Sequence, residues 1–260
     1  MLILQGIVLG IVQGLCEFLP ISSSGHLILV PALLHWNDPG LAFDAVLHLG
    51  TLAALLVYFW KDIFALSRVM LFKLAVATLP AIGAALLLND LVEHYARGPR
   101  VVAFGLAFWA MVLFVADRWS GRTAPLHEGE DNNPQVTWTQ ALVIGCAQAI
   151  AIMPGTSRSG ITITAALFMG LRRTAAARFS FLLSIPITAA AGGYELLKLV
   201  RDGGLTQSGA SVMMLVVGSV AACVSGLWAI RFLLTYVVKR RYDLFVFYRL
   251  ALAVVVLLLV

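Results

Sequence analysis

Long apolar runs separated by short polar loops set the pattern of this chain. A run of about 17–25 residues is needed to cross the hydrocarbon layer of a bilayer as a helix. Runs that approach this length are 43–60, 73–89, 101–117, 179–197, 210–234 and 244–260. The pattern therefore predicts an all-α polytopic membrane protein with about six transmembrane helices.

Two further apolar regions are interrupted by small and polar residues. The region 2–36 contains the polar stretch 20–26, and the region 138–171 has the same layout around the stretch 154–160. In both regions the apolar run after the polar stretch is too short to cross a bilayer. Non-helical backbone at membrane depth is tolerated only where protein buries it or a polar cavity adjoins it. We therefore predict that 2–36 and 138–171 are re-entrant hairpins of broken helices.

The two hairpins are related by a constant offset of 135 residues. The identical pairs are Gly10 with Gly145, Gln13 with Gln148, Ser22 with Ser157, Ser24 with Ser159 and Gly25 with Gly160. Three predicted crossings separate the hairpins, which places them on opposite faces of the membrane. This layout is typical of an inverted-topology repeat with binding sites near the midplane; a chance match of small residues is the alternative. The predicted division is a first repeat 1–117, a cytoplasmic connector 118–137 and a second repeat 138–260.

Composition and charge agree with a membrane protein. Apolar residues make up 61% of the 260 residues and charged residues 12%, against about 45–50% and about 25% in soluble domains. A single soluble domain of this length cannot bury that much apolar surface. The net charge of +5 comes from basic residues in short loops, eleven on one predicted side and four on the other. The charge excess therefore predicts which loops are cytoplasmic and places both termini outside, and it indicates no nucleic-acid partner.

Two charged residues at membrane depth are the first candidates for chemistry, because a charge is costly there and reads as functional. Glu17 ends the first apolar run, and Gln13 lies one helical turn before it on the same face. Arg158 lies in the second polar stretch, where its planar fork suits a phosphate group. The alternatives are that Glu17 reaches an interface or is protonated, and that Arg158 and Glu17 form a structural strut.

Hydroxyl groups and one imidazole surround these charges. Ser23 beside His26 suits nucleophilic attack with the imidazole as general base and later acid. Candidate phosphate-binding residues are Ser22, Ser24, Gly155, Thr156, Ser157, Ser159 and Thr162, since hydroxyls and the free N–H groups of a helix start bind anions. Serine and threonine in membrane helices often only bond the backbone, which would account for some of them.

These residue types together predict a phosphate site inside a bilayer. A carboxylate with an amide neighbour suits a hard divalent cation, so Glu17 and Gln13 are candidate metal ligands. A site open to the membrane needs a substrate with a lipid tail. A lipid phosphate or diphosphate hydrolase is the favoured hypothesis. A lipid-phosphate transporter or flippase is the alternative, because inverted repeats with broken helices are common in transporters.

Two other features, on the first and fifth predicted crossings, carry expectations of their own. Asp44 and His48 share a helical face, where they are either partners of His26, a metal site, or a pair at a helix end. Gly218, Ala222 and Gly226 follow a small-xxx-small spacing on the run 210–234, which joins helices either in a homodimer or within one chain.

The two polar stretches also carry a family resemblance. The segments QGLCEFLPISSSGH (13–26) and PGTSRSGIT (154–162) resemble the two signature motifs of the bacterial undecaprenyl pyrophosphate phosphatases, the family linked to bacitracin resistance. The resemblance implies hydrolysis of undecaprenyl diphosphate, a polyprenyl diphosphate lipid, to the monophosphate carrier of cell-wall synthesis. It also implies a divalent cation (Mg or Ca) and a multi-pass protein of the bacterial cytoplasmic membrane. The active site is then expected to be accessible from the outer side.

The resemblance also implies roles for single residues. Glu17, Ser23, His26 and Arg158 match the positions regarded as catalytic in that family. Gln13 occupies an opening position that allows Glu or Gln, so more of the charge at a metal would fall on Glu17. We favour Ser23 as the nucleophile with His26 as its base, and His26 itself or a water molecule remain alternatives.

Overall fold

The chain folds into eleven helices in the part that the structure describes, and no strand occurs there. This computed structural model describes residues 2–37, 39–95, 98–123, 136–201 and 211–258. The helices are α1 (Leu2–Phe18), α2 (Ser23–Leu33), α3 (Leu41–Tyr58), α4 (Trp60–Ala65), α5 (Arg68–Tyr95), α6 (Pro99–Thr123), α7 (Trp138–Ala149), α8 (Arg158–Phe168), α9 (Arg173–Arg201), α10 (Val212–Lys239) and α11 (Asp243–Leu258). The prediction of an all-α protein is confirmed.

Four helices contain a stretch that is long and apolar enough to cross a membrane: Arg68–Leu88, Pro99–Ser120, Arg173–Leu197 and Val212–Lys239. Large apolar side chains on these helices face outward, as the 83% exposed fraction of Leu87 shows, and an apolar surface of this kind suits lipid. The chain is therefore a multi-pass membrane protein. The predicted crossings 43–60 and 244–260 correspond to the helices α3 and α11, which are not among these four helices. That these two helices cross the membrane stays a prediction.

The predicted connector 118–137 begins with helix. α6 continues to Thr123, and α7 starts at Trp138 after Thr137 caps it. The Thr137 side chain accepts a hydrogen bond from the Gln140 N–H, and the Gln140 side chain accepts one from the Thr137 N–H. Residues 124–135 of this connector lie outside the described residues.

Both predicted breaks are present as interruptions of helix. α1 ends at Phe18 and α2 begins at Ser23, while α7 and a short 3-10 turn end at Ile152 and α8 begins at Arg158. Ser22 has φ 76° and Ser157 has φ 70°, and each directly precedes the second helix of its pair. Backbone of this kind is sparsely populated for residues other than glycine and costs about 1–3 kcal/mol per residue. Contacts elsewhere in the fold must therefore hold both serines in place.

Small residues bring α1 and α10 into close contact. A Cβ atom added at Gly10 would lie 2.2 Å from the Gly218 carbonyl oxygen. On the other helix, Gly218, Ala222 and Gly226 are all buried, against α1 and against side chains of α3. Of the two uses expected for this small-residue face, the structure shows packing within one chain.

Gly10→Ala is expected to lower the melting temperature of the purified protein. The added methyl group meets backbone rather than a flexible side chain, so α1 and α10 must separate, which costs about 1–3 kcal/mol. Gly83→Ala is the matched control, since a Cβ there meets nothing within 4 Å. The measurement is intrinsic tryptophan fluorescence during heating in detergent. Equal melting temperatures for the two variants would contradict the close approach of α1 and α10.

Ion pairs gather several helix ends at one end of the bundle. The pairs are Arg118 with Asp243 at 2.7 Å, Arg178 with Asp62 at 2.9 Å, and Arg173 with the buried Asp117. They join the ends of α4, α6, α9 and α11. The arginines belong to loops and helix ends that the charge distribution predicts to be cytoplasmic.

Candidate active site

Glu17 is the centre of a polar cluster that joins the two breaks. It lies at the end of α1 and is only 6% exposed. Its Oε1 atom accepts a hydrogen bond from Arg158 Nη2 at 2.7 Å, and its Oε2 atom accepts one from the Ser23 hydroxyl at 2.7 Å. Ser23 and Arg158 occupy equivalent positions by the 135-residue offset, and each is the first residue of the helix after its break. The two helix starts therefore meet at one carboxylate.

Local structure explains why the second break delivers Arg158 to this carboxylate. Ser157 caps α8 by accepting a hydrogen bond from the Gly160 N–H at 3.2 Å. The Ser159 hydroxyl donates to the Leu19 carbonyl oxygen at 3.2 Å, which ties the start of α8 to the first break. With its backbone fixed at both points, Arg158 extends toward Glu17.

The first break has a matching arrangement of hydroxyl groups. Ser22 and Ser24 place their Oγ atoms 3.4 Å apart, and Ser157 and Ser159 place theirs 3.3 Å apart. The same spacing of residues thus gives nearly the same geometry on both sides of Glu17. The two sides differ in the residue between the serines, which is Ser23 in one break and Arg158 in the other.

A cavity of about 380 Å³ opens beside this cluster. Its lining includes Glu17, Ser23 and Arg158, together with Glu195 of α9. The Nη1 group of Arg158 is buried and has no hydrogen-bond partner among the described residues. An unpaired guanidinium N–H group beside a cavity is suited to bind an anion, because a buried donor without a partner is costly.

The imidazole of His26 forms its hydrogen bonds with residues other than Ser23. Its Nδ1 atom lies 2.7 Å from the Ser22 carbonyl oxygen and its Nε2 atom 2.6 Å from the hydroxyl of Tyr248, on which the ring also stacks. Because a carbonyl oxygen only accepts, Nδ1 carries a hydrogen atom and donates it to Ser22. In this structure Glu17, and not His26, accepts the Ser23 hydrogen bond. The role of His26 as the base of Ser23 stays a prediction.

The predicted phosphate-binding residues separate into two groups. Ser22, Ser24 and Ser157 line the cavity. The others are not brought to it: the Ser159 hydroxyl bonds Leu19, and Thr162 lies 2.6 Å from the Ser180 hydroxyl on α9. Gly155 and Thr156 are buried within the break and do not line the cavity. The short spacing of hydroxyls could not separate these groups, because it does not tell which way each side chain turns.

Asp44 and His48 of α3 both line the cavity. His48 Nδ1 lies 3.0 Å from Gln13 Nε2 and 3.6 Å from Glu17 Oε2, so His48 belongs to the Glu17 cluster and not to His26. The contact of His48 with the Glu17 cluster is none of the roles expected for this pair, and those roles stay predictions.

The described residues do not fit a cation site made by the protein alone. No group of three or more His, Cys, Asp and Glu side chains among them is arranged to hold a metal ion. Both Glu17 oxygens already accept hydrogen bonds, and Gln13 turns its Nε2 amide nitrogen to the carboxylate at 3.1 Å. A hard divalent cation prefers several oxygen ligands, and of the predicted pair only Gln13 Oε1 is without a hydrogen-bond partner among the described residues. The divalent cation stays a prediction of the resemblance.

Sequence reasoning missed three residues near the site. Arg249 is fully buried on α11, and as a charge in an apolar run it meets the same criterion that selected Glu17 and Arg158. Tyr248 carried no signal of its own, because its partner His26 is 222 residues away. Glu195 lines the cavity from the end of α9 beyond the polar stretches.

These features define a class of protein: a multi-pass membrane protein whose charged, hydroxyl-lined site lies where two broken helices meet. The chain belongs to the family of the bacitracin resistance protein BacA, whose sequence profile matches residues 6–255. The family expected from the two motifs is therefore confirmed.

Named relatives are similar over nearly the whole chain. The undecaprenyl-diphosphatase of Thioalkalivibrio sulfidiphilus (strain HL-EbGR7) is 44% identical over 270 residues, which cover 98% of each chain. That of Chloroherpeton thalassium (strain ATCC 35110 / GB-78) is 41% identical over 272 residues, covering 98% of this chain and 95% of the relative. That of Desulforudis audaxviator (strain MP104C) is 42% identical over 266 residues, covering 98% and 97%.

Proposed function

We propose that this chain is an integral-membrane undecaprenyl-diphosphatase, which releases inorganic phosphate from undecaprenyl diphosphate and leaves the monophosphate lipid. Membership of the family and the names of the similar proteins support this activity. The observation that carries the site is the position of Glu17, which holds the Arg158 guanidinium with one oxygen and the Ser23 hydroxyl with the other.

Arg158 and the helix starts bind the diphosphate in this proposal. The unpaired Nη1 group of Arg158 donates to oxygens of the terminal phosphoryl group, while Glu17 keeps the guanidinium in place. Charge that develops on the transferred group is stabilised by donors fixed before the reaction. Ser24 and Ser157 line the same cavity and supply further hydroxyl donors.

Ser23 is the nucleophile that we favour, with Glu17 as its proton acceptor. The Ser23 oxygen forms a bond to the terminal phosphorus, its proton passes to Glu17 Oε2, and the anhydride bond to the lipid phosphate breaks. The monophosphate lipid leaves with the electron pair. Water then attacks the phosphoserine, the serine oxygen takes back the proton from Glu17, and inorganic phosphate is released.

The architecture predicted from the repeat belongs to the same proposal. The matched helix breaks, the similar positive φ angles of Ser22 and Ser157, and the shared carboxylate support two re-entrant hairpins in an inverted repeat. We place the protein in the bacterial cytoplasmic membrane, with the cavity accessible from the outer side. The lipid-phosphate transporter or flippase considered from the sequence has no support in the names of the relatives.

Phosphate release from purified protein tests the function. Wild-type protein in detergent is expected to release inorganic phosphate from undecaprenyl or farnesyl diphosphate, and to leave the corresponding monophosphate unhydrolysed. The assay is run with Mg²⁺, with Ca²⁺ and with EDTA, because the resemblance predicts dependence on a divalent cation. Absence of phosphate release under all three conditions from correctly folded protein would refute the enzyme proposal.

A further inference from the structure

Arg249 is a fully buried arginine whose hydrogen bonds all go to backbone. Its guanidinium donates to five carbonyl oxygens: Leu106 at 3.2 Å, Gly105 at 3.4 Å, Pro20 at 3.5 Å, Gly155 at 2.9 Å and Thr156 at 3.0 Å. The side chain is 0% exposed, and no carboxylate within 4.0 Å is recorded for it among the described residues. A buried charge is tolerated only where hydrogen bonds replace its water, and here backbone carbonyls do so.

The accepted carbonyls belong to both breaks. Pro20 lies in the first break, Gly155 and Thr156 lie in the second, and Gly105 and Leu106 come from α6 behind them. Broken helices leave carbonyl groups without a helical partner, and these require donors when they are buried. The guanidinium of Arg249 on α11 thus donates hydrogen bonds to carbonyl groups of both breaks, which lie more than a hundred residues apart in sequence.

These hydrogen bonds act next to the strained serines. A peptide group is planar and trans, so a carbonyl and the N–H of the next residue point in opposite directions. Arg249 donates a hydrogen bond to the Thr156 carbonyl oxygen, so the Ser157 N–H points away from the guanidinium. This bond fixes the orientation of the peptide plane between Thr156 and Ser157, directly before the φ angle of 70° at Ser157. In the first break, the bond to Pro20 fixes the chain two residues before Ser22, whose φ is 76°. Ser23 and Arg158 directly follow these two serines.

We propose that Arg249 is a positioning residue that holds the two helix breaks together from a third helix, so that Ser23 and Arg158 meet at Glu17. Arginine is suited to this task because its rigid fork carries five N–H donors in fixed directions. Lysine has the same charge, but a single ammonium group cannot reach carbonyls on both breaks in the same geometry. The kinetic part of this proposal rests on the proposed phosphatase function, whereas the structural part does not.

Arg249→Lys tests the proposal, with Arg231→Lys as its matched control. Arg231 lies on α10 with an exposed side chain, so the same substitution there leaves both breaks intact. We expect Arg249→Lys to lower kcat roughly 10- to 100-fold with little change in KM, because small misplacements of reacting groups have effects of this size. Deuterium exchange of backbone amides should rise in segments 19–26 and 153–160 and stay unchanged in α3 and α10.

The measurements of kcat and of amide exchange distinguish failure of the positioning role from failure of the proposed function. Normal kcat in an Arg249→Lys variant, or faster exchange in only one of the two segments, would overturn the positioning role. A uniform rise in exchange over all helices would also overturn it, because that result describes general stabilisation. If wild-type protein released no phosphate, the proposed function would fail, yet the exchange pattern would still decide whether Arg249 holds both breaks.

Discussion

Arg158→Met is expected to reduce phosphate release at least roughly a hundredfold, the size expected when one donor to the transition state is removed. Methionine fills a similar volume but donates no hydrogen bond, so both the contact to Glu17 at 2.7 Å and the unpaired Nη1 donor are lost. Phosphate release by purified variants at equal concentration measures the effect. Arg100→Met, an exposed arginine in the first turn of α6, is the matched control.

Arg158→Lys tests whether the positive charge alone is sufficient or the planar guanidinium is needed. Lysine keeps the positive charge but not the planar fork, so it cannot hold Glu17 and a phosphoryl group in the same geometry. We therefore expect Arg158→Lys to lie much closer to Arg158→Met than to wild type. Near-normal activity in the lysine variant would show that only a charge is needed, which would contradict bidentate use of the guanidinium.

The physics of the bilayer explains why much of the site could be predicted from the sequence. Charged residues and broken helices are both costly at membrane depth, so Glu17, Arg158 and the two polar stretches stand out in an apolar chain. Ser23 and Arg158 lie 135 residues apart, which is the offset between the two stretches, and the structure brings both to the same carboxylate. The fold class followed from the lengths of the apolar runs for the same reason.

The direction of each side chain could not be predicted in the same way. Ser23 and His26 are three residues apart, which is compatible with a hydrogen bond, yet the imidazole turns to Tyr248 of α11. That contact depends on how α11 packs, and no local pattern encodes it. Thr162 likewise reaches Ser180 of α9 instead of the cavity, although it lies one helical turn after Arg158 on the same face of α8. Its partner depends on how α9 packs against α8, which the local sequence does not encode.

Glu17→Gln is expected to be as damaging as Arg158→Met. The amide keeps the shape of the side chain, but it cannot take the proton from Ser23, and it leaves Arg158 without its counter-charge. Loss of a general base alone typically costs 10²–10⁴-fold. Glu195→Gln is the matched control, because Glu195 lines the same cavity from α9 and, within the described part of the chain, forms no hydrogen bond or ion pair with Ser23 or Arg158. Activity of Glu17→Gln equal to that of Glu195→Gln would contradict the central role of Glu17.

A buried arginine without its partner also destabilises the fold by about 3–5 kcal/mol, so activity and stability must be separated. In the double variant Glu17→Gln with Arg158→Met, no charge of this pair remains. We expect its melting temperature to recover toward that of wild type, while phosphate release stays lost. Recovery of stability without recovery of activity assigns the loss to chemistry, because unfolding then no longer explains it.

Combining Glu17→Gln with Ser23→Ala tests the proton transfer between the two residues. If Glu17 acts only through Ser23, the double variant is no less active than the worse single variant, since residues that act as a unit have non-additive effects. Additive losses would mean that each residue acts independently, with Glu17 serving a water molecule or His26 as the nucleophile. The 2.7 Å hydrogen bond from Ser23 to Glu17 predicts the non-additive result. Glu17 Oε2 accepts the hydrogen bond from Ser23 before the reaction, and the same oxygen atom is therefore in position to take the Ser23 proton during the reaction.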